Sequence, residues 1–224
     1  YMLLQAQAGT DPHDPFSTAP VTDLDSPLEQ ADLGSIRAMI TPDLGSAAMS
    51  HAYSSIFADR TSRFRHHFAA AIDASPDFTD GDNCFEVLRG VNFVAAHGAR
   101  VRDHRDSLSP NVVDNVDRGL AYSLADVAEA HLQQSRIARA WLDLFEDIDV
   151  VICPAASSTP FPHDQWSVSE IDGETMETYM RWLGITYLPT MALACSIALP
   201  CGLDQAGMPL SLIHISEPTR RRTI

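Results

Sequence analysis

The chain has 224 residues, of which 45% are hydrophobic and 20% charged, and its formal net charge is −15. The composition is that of an ordinary globular protein, and the length suits one large domain or two small ones. The negative charge argues against a nucleic-acid or anionic-membrane surface, since both need clustered positive charge, and no apolar stretch approaches the roughly 20 residues of a membrane helix.

The first half of the chain is predicted to contain helices and one strand. Residues 2–8 are rich in Ala, Leu and Gln and predict the end of a helix, and the Pro- and Asp-rich residues 10–33 predict a loop. The short apolar run 35–41 lies between Gly and Pro and predicts a strand. Helical spacing of large apolar residues predicts helices over 47–74 and 80–104.

The clearest predicted helix runs from residue 120 to 145. A separate helix is predicted to precede it, with Ser109 as the N-cap and Pro110 at the first helical position. Ser123 and Asp126 have the spacing of a capping box near its start. The residues expected to form its buried stripe are Leu124, Val127, His131, Ala138, Leu142 and Phe145.

The remaining part of the chain is predicted to add strands. The β-branched run 149–154 follows a long helix directly and predicts a buried, parallel strand. Residues 175–183 predict a short helix, and 196–202 predict another strand whose hairpin partner begins at 208–209, after a turn. Helices between buried strands indicate an α/β fold with layers.

The C-terminal residues 210–224 break this pattern. The sequence SLIHISEPTR at 211–220 is similar to the translation of a transposase adapter used in sequencing libraries, and two further arginines follow it. We therefore expect 210–224 to be a non-native, adapter-derived tail and leave it out of the fold prediction. A natural strand with a basic terminus is the alternative. The chain also begins in mid-pattern at Tyr1, so we expect a natural sequence that is cut at both ends.

Four stretches, taken in order, resemble the C-terminal half of the amidase signature family. They are LQAQAGTDPHDP at 4–15, FEVLR at 85–89, LFEDIDVVICP at 144–154, and the segment from Leu188-Pro189 to Gly207-Met208-Pro209. Each stretch alone is a weak signal, but their order and spacing extend over residues 1–209. The resemblance implies that 1–209 is the C-terminal portion of a truncated amidase-signature fold, with part of a layered mixed β-sheet flanked by helices.

This resemblance implies hydrolysis of carboxylic amides by a Ser–Ser–Lys triad. A serine needs a base beside it to attack at neutral pH, and backbone N–H groups must stabilise the oxyanion. In the family these groups lie in a Gly/Ser-rich signature upstream of the segment that matches 4–15. All fifteen basic residues here are arginine, and no two glycines are adjacent. We therefore assign no catalytic residue and expect the 224-residue chain to be inactive by itself.

The resemblance also implies which residues form the remaining wall of the substrate pocket. In the family, the loop after the strand that ends at Pro154 and the segment before Pro189 approach the active site. The substrate-binding candidates are Ala155, Ala156, Ser157, Ser158, Thr186 and Tyr187. The alternative is that they are ordinary loop and core residues. The implied partner is a small-molecule amide, no cofactor or metal is implied, and a homodimer stays open.

The same residues permit other interpretations. Cys153, with His163 nearby in sequence, could form a cysteine nucleophile, although a small buried hydrophobe is the better interpretation. The histidines lack the spacing of a metal motif. The four cysteines include no CxxC pair, which favours reduced thiols in the cytoplasm. Alternative functions are a glutamine-hydrolysing subunit of a tRNA-dependent amidotransferase, and a non-catalytic binding or interaction module.

Overall fold

The computed structural model describes residues 2–15, 17, 19, 30–204 and 206–216. The helix predicted over residues 2–8 is described from Met2 to Gln7. Tyr1, much of the predicted loop before residue 30, and the last part of the tail, 217–224, lie outside the described residues. Among the helices that the structure describes, none is both long and apolar enough to span a membrane.

Helices and strands follow one another in the order expected of an α/β fold. The helices are α1 Met2–Gln7, α2 His51–Ser62, α3 Gly81–His104, α4 Pro110–Ala121, α5 Leu124–Asp147 and α6 Gly184–Met191. The strands are β1 Arg37–Ile40, β2 Ala70–Asp73, β3 Val150–Pro154, β4 Glu170–Ile171, β5 Glu174–Thr175, β6 Cys195–Leu203 and β7 Pro209–Ser216. Single 3₁₀ turns span 33–35, 65–67, 105–107 and 181–183.

The central element is a five-stranded mixed sheet with the strand order β2-β1-β3-β7-β6. β2, β1 and β3 are parallel, whereas β7 is antiparallel to both β3 and β6. β4 and β5 form a separate short hairpin. The α/β class and the mixed sheet flanked by helices are therefore confirmed.

Each face of the sheet carries its own core, because alternate strand residues point to opposite faces. On one face Met39, Val151 and Cys153 pack with residues of α3, α5 and α6 in the main core, which includes Trp141 and Phe145. The opposite face has a smaller core. Its members are Ala38, Ile40, Val150 and Ile152 with Phe57 of α2, and the half-buried Ile36, Phe64, Phe68, Ala71 and Leu212.

Several local predictions are confirmed. The strand predicted over 35–41 is β1, and the helix predicted over 80–104 is α3. α5 begins with the predicted capping box: Ser123 Oγ accepts from the Asp126 amide, and the Asp126 carboxylate accepts from the Ser123 amide. β3 is buried throughout and is parallel to β1.

Three local predictions are wrong. The single helix predicted over 47–74 is α2 followed by β2, because residues 70–73 pair with β1.

The buried face of α5 differs from the predicted one. Leu124 is 85% exposed and Leu142 54% exposed, and His131 is also exposed. The buried residues of α5 are Ala130, Ile137, Trp141 and Phe145. The helical region near 175–183 begins instead as a 3₁₀ turn at 181 and continues as α6.

The first part of the predicted tail is a strand in the middle of the sheet. β7 lies between β3 and β6, and Leu210, Ile213 and Ile215 on it are buried. The hairpin predicted after residue 202 is confirmed, but its second strand continues to Ser216. The sheet therefore includes 210–216, while the adapter origin of 210–224 stays a prediction.

α3 and α4 cross at two glycines. A Cβ built on Gly119 would lie 2.4 Å from the carbonyl oxygen of Gly90, and one built on Gly90 would lie 2.9 Å from the Cα of Gly119. The backbones of the two helices are thus in direct contact at this crossing, which leaves no room for a side chain on either residue.

Candidate functional site

Three loops meet at the carboxyl ends of the parallel strands. Residues 41–50 follow β1, residues 74–80 follow β2, and residues 155–158 follow β3. Two hydroxyl groups join the first two loops, since Thr41 Oγ1 and Ser75 Oγ are 3.0 Å apart. The carboxyl edge of a parallel sheet is the usual place for a ligand in α/β folds, which makes this edge the candidate site.

The predicted segment 155–158 is tied to its neighbours through its backbone. The Ala155 amide donates to the Ser211 carbonyl of β7 at 3.0 Å, and the Ser157 carbonyl accepts from the Ser50 amide at 2.8 Å. Ala155, Ala156 and Ser158 are half-buried, whereas Ser157 is buried. The Ser157 hydroxyl has no hydrogen-bond partner among the described residues. Main-chain contacts therefore hold this loop in place.

The other predicted residues, Thr186 and Tyr187, lie on α6. Thr186 is exposed, and its hydroxyl donates to the Leu183 carbonyl at 2.8 Å. Tyr187 is only 4% exposed; its ring stacks on Phe85 with centroids 3.9 Å apart, and its hydroxyl donates to Asp82. Burial and the neighbouring Asp82 carboxylate raise the pKa of Tyr187, so the phenol stays neutral. Of this pair, only Thr186 has a side chain at the surface.

A charged network that the sequence did not predict surrounds the Tyr187 hydroxyl. Arg181 forms an ion pair with Asp82 on the first turn of α3, and its other terminal nitrogen is 3.8 Å from Glu174 of β5. Burial alone would lower the pKa of Arg181, but the Asp82 carboxylate and the Tyr187 hydroxyl together outweigh it, and the pKa is raised. Asp82 and Arg181 are 99 residues apart in sequence, so no local pattern could have paired them.

The segment 47–50 links the two groups of predicted residues. At one end Ala47 packs on Gly184, at the start of α6, so closely that a Cβ on Gly184 would lie 3.2 Å from the Ala47 Cβ. At the other end the Ser50 amide binds the Ser157 carbonyl. Ala155 and Tyr187 both belong to or pack against the main core. The structure therefore brings both segments to one end of the sheet, whereas contact of the six residues with substrate stays a prediction.

Cys153 lies on β3 and is completely buried. Burial strongly raises the pKa of its thiol, which suppresses the thiolate that a nucleophile requires. The interpretation as a small buried hydrophobe is confirmed. In the described part of the chain, no group of three or more His, Cys, Asp or Glu side chains could hold a metal ion.

Comparison with known families decides between the interpretations of this fold. The family model described as Amidase matches residues 96–223, more than half of the chain. The chain belongs to the amidase family. An acylamidase of Rhodococcus erythropolis is 22% identical over 216 residues, a match that covers 94% of this chain and 45% of the relative. A glutamyl-tRNA(Gln) amidotransferase subunit of Agathobacter rectalis is 23% identical over 166 residues, covering 71% of this chain and 31% of the relative.

A solved amidase structure has the same fold. A bacterial aryl acylamidase of the amidase signature family superposes with a TM-score of 0.78 at 18% identity, covering 94% of this chain and 45% of that one. At this identity the likeness establishes the fold alone. The chain spans less than half the length of these amidase relatives, so much of their sequence has no counterpart among the helices and strands of this chain.

Proposed function

We propose that the chain is the C-terminal portion of an amide hydrolase whose Ser–Ser–Lys triad lies upstream of Tyr1. The observation that carries the proposal is membership of the amidase family. The absence of lysine from all 224 residues supports the second part, because this mechanism needs a lysine as base. In this proposal the 224-residue chain is inactive by itself and belongs to a longer, cytoplasmic enzyme that needs no metal.

In this proposal the carboxyl edge of the sheet forms one wall of the substrate pocket. Ala155, Ala156 and Ser158 in the loop after β3 are at least partly accessible, and Thr186 on α6 is exposed, so they can contact an amide directly. Tyr187 and Ser157 are buried, and in this proposal they pack beneath the accessible residues and hold them in position. The fixed backbone of 155–158 suits this role, because catalytic sites need rigid surroundings.

The proposal is tested by comparing this chain with a longer reading frame recovered from the same gene. A fluorophosphonate probe reacts with activated serines, and an anilide substrate reports hydrolysis. We expect neither reaction with the 224-residue chain. We expect both with the longer protein, and heat denaturation of that protein should abolish both. Specific labelling of one serine in the short chain would show that a nucleophile is present and would contradict the proposal.

One alternative within the family has a specific observation in its favour. The relative from Agathobacter rectalis is named as part of a glutamyl-tRNA(Gln) amidotransferase. A protein of that kind would release ammonia from glutamine rather than hydrolyse an anilide. Glutaminase activity of the longer protein, without anilide hydrolysis, would favour this alternative.

A non-catalytic interaction module is the alternative outside the enzyme class. It predicts an intact reading frame that begins near Tyr1 and contains no upstream Gly/Ser-rich signature. Sequencing the genomic region upstream of Tyr1 therefore separates this alternative from both enzymatic ones.

A further inference from the structure

The segment that follows the loop 155–158 lies against the carboxyl edge of the sheet. Residues 159–176, the hairpin segment, contain β4 and β5, and a turn joins these two strands at Asp172 and Gly173. Both turn residues have positive φ, of 48° and 92°, as in the tight turns of two-residue hairpins. The turn places Asp172 at the tip of the hairpin.

The hairpin segment packs in a small apolar core that is separate from the two cores on the faces of the sheet. Its buried residues Val168, Ile171 and Met176 pack with Ala48, which belongs to the loop after β1. None of these four residues is a member of the other two cores. The hairpin segment can therefore move away without disturbing the packing that holds the sheet to its helices.

The backbone of the hairpin segment is not hydrogen-bonded to the backbone of other elements within the described residues. β4 pairs with β5, and the Met176 amide donates to the Ser169 carbonyl at 2.9 Å, so these bonds stay inside the segment. The preceding loop is different, because the backbone of 155–158 is bound to β7 and to Ser50. A fixed loop followed by a segment that lacks such bonds can act as a hinge.

Two carboxylates provide the polar contacts between the hairpin segment and the rest of the described chain. At the tip, Asp172 Oδ2 accepts from the His51 amide at 2.5 Å and lies 2.8 Å from His51 Nδ1. His51 is the first residue of α2, so this carboxylate also meets the positive end of the helix dipole. On β5, Glu174 is 3.8 Å from Arg181. Asp172 makes the shorter contacts, directly beside the segment 47–50 of the candidate site.

We propose that the hairpin segment is a lid over the carboxyl edge of the sheet, latched by the contact between Asp172 and the start of α2. This inference rests on the proposed function, in which the loop 155–158 forms part of the wall of the substrate pocket. An open lid admits the amide, and a closed lid excludes water from the reaction. Opening breaks side-chain contacts and exposes only a small core, so it requires far less free energy than global unfolding.

Hydrogen exchange followed by mass spectrometry tests the latch on the 224-residue chain, independently of any amide hydrolysis. Asp172→Asn keeps a residue type that tolerates positive φ but removes the negative charge at the start of α2. The amides of 168–176 should then exchange about three- to tenfold faster, all by the same factor, while β3 and α5 exchange as before. The matched control is Asp43→Asn. Asp43 also accepts from a backbone amide at this edge, that of Gly45 at 2.7 Å, but this bond stays within its own loop, so 168–176 should be unaffected.

The longer protein of the proposed function shows whether the lid covers the substrate site. A fluorophosphonate adduct on its serine should contact the closed lid and slow the exchange of 168–176. Faster exchange confined to the turn at Asp172, faster exchange of α5 as well, or an equal effect of Asp43→Asn would overturn the latch. An unchanged rate after labelling would show that the segment does not cover the site. A longer protein that the probe does not label contradicts the proposed function and with it the role of a lid, whereas the latch is decided by the short chain alone.

Discussion

His214 on β7 is a polar residue in an apolar environment. It lines a cavity of about 380 Å³ together with Phe64, Phe68, Ile152 and Leu199, among other apolar residues. Its Nε2 atom is buried and has no hydrogen-bond partner within the described residues. Burial lowers the pKa of His214, because the charged imidazole would lose its water without gaining a partner.

The lowered pKa predicts how stability depends on pH. Below the unfolded-state value of about 6.5, the unfolded chain binds a proton at His214 that the folded chain does not bind, so this contribution to stability is lost as the pH falls. His214→Leu should remove the part of the stability loss at acidic pH that comes from His214. It should also raise the free energy of unfolding by roughly 1 kcal/mol at pH 7. Urea denaturation followed by tryptophan fluorescence at pH values of about 7.5 and 5.5, on either side of that unfolded-state pKa, measures both effects.

The control for this prediction is His131→Leu on the exposed side of α5. Since His214 is retained in the His131→Leu variant, that variant should still lose stability as the pH falls. A pH dependence that is the same in His214→Leu and in the unmodified chain would contradict the assignment to His214.

Residue-level prediction from the sequence succeeds where the signal is local. Ser123 and Asp126 are three residues apart, and their capping box forms as predicted. The environment of Tyr187 depends instead on Asp82, which is 105 residues away, and on stacking with Phe85. The family resemblance singled out the two segments 155–158 and 186–187 as candidates, but the sequence could not show that Tyr187 and Ser157 are buried while Thr186 is exposed.

Among the secondary-structure elements, the contact between α3 and α4 depends most directly on residue size. A Cβ on Gly119 would lie 2.4 Å from the Gly90 carbonyl oxygen and 2.7 Å from its carbon, and backbone atoms cannot rotate away as a side chain can. Gly119→Ala should therefore separate the helices and lower the free energy of unfolding by about 2–3 kcal/mol, within the usual range for overpacking. Urea denaturation measures the change.

Gly98→Ala provides a control on α3 itself. Its added methyl group would meet only Val94, at an ordinary 3.7 Å. Because alanine favours a helix over glycine by up to about 1 kcal/mol, this variant should be at least as stable as the unmodified chain. Equal stability of Gly119→Ala and Gly98→Ala would mean that the crossing is looser than the structure shows.

The elements that the sequence predicted poorly are those fixed by distant partners. β2 has only four residues and lies in a region of helical spacing, yet its pairing with β1 decides its conformation. α5 was predicted as a helix correctly, but its buried face is set by which residues meet α3, α6 and the sheet. Periodicity identified the helix, while the rotation about its axis depends on packing that no single segment encodes.

At the scale of the whole molecule, one edge of the sheet lacks the usual protection within the described residues. In that part of the chain β6 pairs with β7 on one side only, and its nine residues carry no charge in a chain whose net charge is −15. Ile197 and Leu203 are each 55% exposed and Leu199 is 47% exposed. Exposed apolar edge strands without charged residues are sites where chains associate, although Pro200 lacks the N–H that pairing would use.

We therefore expect the 224-residue chain to self-associate as its concentration rises, with β6 as the contact. The double variant Ile197→Lys and Leu199→Lys places charge on this edge and should shift the chain towards a monomer in light scattering coupled to size-exclusion chromatography. Leu124→Lys is the control: Leu124 is more exposed, at 85%, but begins a helix, so its replacement should leave association unchanged. A monomer with a sharp cooperative melt at every concentration, or equal effects of the edge and helix variants, would show that β6 is not the surface through which the chains associate.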